Sequence, residues 1–132
     1  MNELDDQKLN DRGFAFADLL GRDRWQTIWT PAFTSLTLVG ALTVSGRYRI
    51  VGRSVQFQVS FSAATSIAST AGTTYLALPI AAQGIAGIAT MTNDTTNVAV
   101  GTCHVDTATS RCYLPAQTAS GNVFTICGSY EV

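Results

Sequence analysis

The chain has 132 residues, 46% of them hydrophobic and only 13% charged, with a formal net charge of −1. Such a chain is one domain with a real core; it lacks the charge of a disordered tail and the basic excess of a nucleic-acid binder. Acidic residues open it, and no apolar run approaches the ~20 residues of a spanning helix. The expectation is therefore a protein that stays in the cytoplasm where it is made, or leaves by a route other than a signal peptide.

Charge is concentrated at the start. Residues 1–24 hold Glu3, Asp5, Asp6, Lys8, Asp11, Arg12, Asp18, Arg22, Asp23 and Arg24. The composition changes near Trp25, so residues 1–24 read as an N-terminal arm and 25–132 as the globular body. Phe14, Phe16, Leu19 and Leu20 give the arm apolar anchors. They suit either a short helix packed on its own body or an arm docked on a neighbouring subunit. Trp25, Trp29 and Phe33 follow, as anchors of the first strand or of an interface.

The body reads as strands. Leu36–Val44 is one candidate, interrupted by Gly40, which signals a bulge or close packing. Arg47–Val51 and Ser54–Ser62 alternate with period two around Gly52-Arg53, the pattern of a hairpin. Thr73–Leu78 follows the turn-rich Ser66–Gly72. Ile85–Met91, Val98–Val105, Arg111–Leu114 and Asn122–Tyr130 complete the set. About eight strands separated by turn residues predict an all-β, jelly-roll-like antiparallel β-sandwich. Val55, Phe57, Val59, Phe61, Leu76, Leu78, Ile88, Val98, Val100, Phe124 and Ile126 are the expected core. Neither heptads nor a collagen-like glycine period marks a fibre shaft.

Chemistry-bearing residues are sparse. His104 is the sole histidine. Its neighbour Cys103 belongs to the opposite strand face. A Cys/His/Asp set would need Cys112 or Cys127 to approach His104 and Asp106, and no motif supports one. Asp94 and Asp106 lie in turn sequences and, with Glu131, make a poor glycosidase pair. Cys103, Cys112 and Cys127 match no zinc spacing and read as free thiols, with a Cys103–Cys112 bridge as the alternative. Asn93-Asp94-Thr95 matches a glycosylation acceptor pattern by coincidence. The reading is of a protein without catalytic residues, metal or other cofactor, and without nucleic-acid or membrane partners.

Arg47, Arg49 and Arg53 form the one charge cluster of the body, which contains no lysine. They suit a solvated face or a partner contact, where guanidinium forks meet carbonyls and carboxylates.

The run Gly46-Arg47-Tyr48-Arg49-Ile50-Val51-Gly52-Arg53-Ser54-Val55-Gln56-Phe57-Gln58-Val59, followed by Gly72-Thr73-Thr74-Tyr75-Leu76-Ala77-Leu78-Pro79, resembles small β-sandwich modules of tailed-bacteriophage virions. Those share a Y-x-I-x-G-x-x-V-x-F-x-V strand pair and a G-T-x-Y-x-x-L-P segment. The resemblance spans residues 46–79 and is diffuse beyond them. Among such modules the chain is most similar to the jelly-roll capsid cement, or decoration, proteins of the Bordetella-phage type. The resemblance implies a structural protein on the capsid surface of the virion, made in the host cytoplasm, whose partner is the major capsid protein. The alternative it implies is a receptor-binding tip of a tail fibre or spike. The candidate contacts are Phe14, Phe16, Leu19, Leu20, Trp25, Trp29, Arg47, Arg49 and Arg53. A small sandwich with exposed edges is expected to form a homodimer, with a trimer as runner-up.

Overall fold

The computed structural model describes residues 27–84, 87–119 and 121–132. The expected arm, with Phe14, Phe16, Leu19 and Leu20, and also Trp25, lies outside the described residues. Twelve strands follow in chain order: β1 (Thr27–Trp29), β2 (Phe33–Thr34), β3 (Thr37–Val39), β4 (Leu42–Val51), β5 (Ser54–Ala63), β6 (Ser66–Ser69), β7 (Tyr75–Ala77), β8 (Gly87–Asn93), β9 (Val98–Asp106), β10 (Arg111–Tyr113), β11 (Gln117–Ala119) and β12 (Val123–Glu131). The described residues contain no helix, and every pairing is antiparallel.

Nine strands form one sheet in the order β1-β4-β5-β12-β8-β9-β10-β7-β2, and β11-β6-β3 form a second. The large sheet curls on itself. Phe33, on its last strand, packs its ring 4.8 Å from that of Phe61 on its third. The turning strand is β9, whose Val98–Cys103 part pairs with β8 while His104–Asp106 pairs with β10. A register shift between Met91 and Thr92 accompanies the turn, as bulges do where a sheet bends. The result is a jelly-roll-like antiparallel β-sandwich.

The hairpin β4–β5 is its longest pairing. Val51 faces Ser54, leaving Gly52-Arg53 as a two-residue turn with Gly52 at φ +61°. A positive φ at the first turn position matches the twist of the flanking strands, and glycine adopts it without strain. At Gly40 the close packing is present and a bulge is not: the expected single strand Leu36–Val44 is divided here into β3 and β4. The Gly40 φ is +92°, and a Cβ there would lie 2.7 Å from that of Ala64. The chain leaves β3 in the small sheet at this point and enters β4 in the large one. Ser66–Gly72 was expected as turn alone, yet its first half is β6, because Ile67 is pulled into the core and pairs with Leu38.

Val55, Phe57, Val59 and Phe61 are buried along β5 while Ser54, Gln56, Gln58, Ser60 and Ser62 face outward. Phe124 and Ile126 of β12, with Leu76 and Leu78, complete the expected core. Removing the Phe57 ring from this packing would cost about 3–5 kcal/mol. Two expected core residues are on the outside: Ile88 is 62% exposed and Val98 56%. On β8 the inward positions belong to Ala89 and Met91, so alternation turns Ile88 out. Val98 pairs with Asn93 beyond the register shift, at the sheet's margin. Val100 is half-buried. Cys103, Val105 and Cys112 fill the interior instead.

Candidate functional site

Two surfaces gather the residues that can meet a partner. The first is the outer face of the large sheet. Pairing carries one row of outward positions across six strands, from Ile28 through Arg47, Gln58, Cys127 and Thr90 to Thr102. The adjacent row runs Arg49, Gln56, Ser129, Ile88. Arg49 Nε donates to Gln56 Oε1 at 2.7 Å, and Arg47 Nη2 donates to Gln58 Oε1 at 3.4 Å. Each glutamine thus holds a guanidinium along the sheet, which reduces the rotamer freedom lost on binding. Arg53 is apart from this pair, exposed in the β4–β5 turn, where its carbonyl accepts from the Val132 N–H at 2.9 Å. Trp29 faces the other way. Its ring meets Tyr48 and Phe57 edge-on, at 6.4 and 6.2 Å, above Gly46, so it anchors β1 to the core.

The second surface is a groove of about 580 Å³ at the opposite end of the sheet. One side is a polar strip, Thr102, His104 and Asp106, at alternate positions of β9. The other side is Ala71 and Gly72 with Tyr113, Leu114, Pro115 and Ala116. Tyr113 faces His104 across β9–β10 and Tyr75 across β10–β7. Its ring is 6.2 Å from His104 and 5.3 Å from Tyr75. The Arg111 guanidinium carbon lies 4.3 Å over the Tyr75 ring, and its Nη1 donates to the Tyr113 hydroxyl at 3.3 Å. These two contacts brace the aromatic pair from one side.

The Ala71–Gly72 wall is fixed from below. Thr74 is fully buried; its hydroxyl donates to the Ser35 carbonyl at 2.8 Å and accepts from the Thr70 N–H at 2.9 Å. The Thr74 carbonyl accepts from Leu114 N–H at 2.9 Å, tying the two sides of the groove together. Asp106 caps the β9–β10 turn as expected, accepting from Ala108 N–H at 3.0 Å and from the Thr109 hydroxyl at 2.7 Å. The Thr109 bond holds its carboxyl below the usual range. Reading the sequence missed Arg111, Tyr113 and Tyr75 as site residues. The available signal was Arg111-x-Tyr113, two outward positions of one short strand.

The residues of a Cys/His/Asp set are not brought together. His104 and Asp106 face outward, whereas Cys103 and Cys112 are free thiols buried on the inner face. The shared thiol hydrogen bond and burial push Cys112 far up from its ordinary range. Cys127 is exposed on the outer face, beside Gln58. Asp94 does not cap the backbone of its turn as expected: its carboxylate accepts from the hydroxyls of Thr125 and Thr92, and the cap is Asn93, whose Oδ1 accepts from the Thr95 and Thr96 N–H groups at 3.1 and 3.3 Å. Among the described residues no three His, Cys, Asp or Glu side chains group in a way that could hold a metal, and no helix is long and apolar enough to cross a membrane.

Comparison with protein-family models, curated proteins and solved structures finds no match for this chain.

Proposed function

We propose that the protein is a structural virion component that binds and stabilises a bacteriophage capsid shell, with the major capsid protein as partner. The observation that supports this reading most is the outer sheet face. It is rich in Ser, Thr and Gln, presents Arg47 and Arg49 on glutamine props, and exposes Ile28 and Ile88. Interface cores are depleted in lysine and favour arginine with apolar neighbours, and short hydroxyl side chains hydrogen-bond at small entropic cost. The 46–79 resemblance points to the same class.

A homodimer, with a trimer as runner-up, belongs to this proposal. Among the described residues the large sheet ends in two short strands, β1 and β2, and sheet edges can pair across a two-fold. The test is location and copy number in purified virions, with light scattering for the oligomeric state. Hundreds of copies on the shell agree with a cement protein. A few tens at most, on the tail, replace it with the receptor-binding tip. The groove at the far end of the sheet is the one observation that favours the tip.

A further inference from the structure

We infer that the groove lined by Thr102, His104, Asp106 and Tyr113 binds a neutral saccharide of two or more pyranose rings. The chemistry of the groove carries this assignment wherever the protein resides. Its two sides differ in chemistry. Tyr113, Leu114, Pro115 and Ala71 make an apolar and aromatic side; Thr102, His104 and Asp106 make a hydrogen-bonding one. A pyranose has the same division, with a face of C–H bonds and a rim of hydroxyls. Its C–H face suits an aromatic ring, whose π surface is negative.

The polar strip supplies both kinds of hydrogen-bonding group. The His104 imidazole and the Thr102 hydroxyl can each hydrogen-bond a sugar hydroxyl, the threonine as donor and as acceptor. The Asp106 oxygens take bonds from the Ala108 N–H and the Thr109 hydroxyl, and a carboxylate offers about four acceptor sites, so acceptor capacity remains for a sugar hydroxyl. Successive outward positions on a strand are roughly 7 Å apart, so Thr102 to Asp106 span roughly 13 Å. That length takes more than one ring. The groove's volume lies within the roughly 300–1,000 Å³ of small-molecule sites.

The charges argue for a neutral ligand. Arg111 is turned to Tyr75 and the Tyr113 hydroxyl. Among the described residues the groove's lining includes Asp106 but no lysine or arginine; Arg111, the nearest, faces Asp106 across β9–β10 and offsets its charge, which leaves no surplus positive charge for a phosphate or a sugar acid. The aromatic support is built before any ligand arrives, because Arg111 and Tyr75 hold Tyr113 in place.

The test uses the full chain, labelled with nitrogen-15, and a panel of neutral disaccharides built from glucose, galactose, mannose and N-acetylhexosamines. Glucuronate-containing disaccharides and a Ser/Thr-rich peptide are the comparators. The expected result is a saturable shift of the Thr102, His104, Asp106, Tyr113 and Ala116 amides with at least one neutral sugar. Tyr113→Ala should weaken that binding about tenfold, and Tyr113→Phe should change it less than about twofold, since the ring is kept. Truncating Tyr113 disturbs its packing on Tyr75, so His104→Ala, on an exposed side chain, is the second variant; it should also weaken binding about tenfold. Tighter binding of the sugar acids or the peptide overturns the inference. So does the absence of any groove shift with the neutral panel, or binding that survives both alanine variants.

Discussion

Tyr130 holds Ile80 by both backbone groups: its hydroxyl donates to the Ile80 carbonyl at 2.7 Å and accepts from the Ile80 N–H at 3.1 Å. The stretch 78–84 after β7, which forms no strand of its own, is thereby pinned to β12. Burial pushes the Tyr130 phenol up to about 12 from its ordinary 10.0. A raised acid pKa means that the folded state favours the neutral form. Its contribution is complete below pH 10 and is lost as pH rises through 10 to about 12, roughly 2–3 kcal/mol in all. Denaturant melts across pH 8–12 should show that decline. Tyr130→Phe should lose about 1–3 kcal/mol at pH 7, because the Ile80 amide groups are left unpaired, and should have a shallower alkaline decline than the parent.

Gly128 and Gly46 occupy inward positions where aromatic rings need room. A Cβ on Gly128 would lie 2.7 Å from Phe57 Cζ and 2.6 Å from the Cβ of Ala89. One on Gly46 would lie 2.8 Å from the Trp29 ring. Gly128→Ala is therefore expected to destabilise by about 1–3 kcal/mol, as overpacking does. Gly46→Ala should do the same and also loosen β1, which a change in tryptophan emission would report. Unchanged melting of both variants would contradict the packing described.

The three thiols should separate cleanly by reactivity. Cys127 is exposed and Cys103 and Cys112 are buried. A disulfide-exchange reagent at pH 8 should therefore titrate one thiol in the folded protein and all three in denaturant. Partial burial raises the Cys127 thiol, so its reaction should be slower than that of a free cysteine. Cys127→Ser should abolish the native reaction without changing the melt by more than about 0.5 kcal/mol, the usual range for a surface change.

Thr74→Val tests the support of the groove. The change keeps the shape of the side chain and removes a buried hydroxyl that serves both Ser35 and Thr70. The expected loss is about 1–3 kcal/mol. Amide exchange in Thr70–Thr73 should quicken more than exchange in β5, because the bond that holds the Ala71–Gly72 wall is gone.

Local pattern made the sandwich class legible. The β5 run needs no tertiary information: Val55, Phe57, Val59 and Phe61 alternate with serine and glutamine, and a period of two permits one buried face only. The Gly52-Arg53 turn followed from the same local chemistry, as did the cap made by Asp106; in the other turn the cap is Asn93 and not Asp94. Arg47 and Arg49 were readable as one face for that reason.

Three of the short strands were not readable, although β7 and β10, equally short, fell within the expected Thr73–Leu78 and Arg111–Leu114. β1, β2 and β11 have two or three residues each, and too few side chains alternate there to set a period. They exist because a longer neighbour supplies hydrogen bonds, as Tyr48 and Arg47 do for Thr27 and Ile28. Which of two alternating sets faces inward on β8 was likewise undecided by composition: Ile88 is the larger apolar residue, yet Ala89 takes the interior position.

By itself, then, the sequence determined the class of structure, the long hairpin, most of the core and the arginine face, since each depends on neighbours a few positions apart. Only the tertiary structure decided the groove. His104, Tyr113 and Tyr75 come from three strands and become adjacent when β9 turns from β8 to β10 and β7 pairs beyond it. No local periodicity encodes that meeting, because it depends on sheet order and register, and those are set by how the whole chain curls around its core.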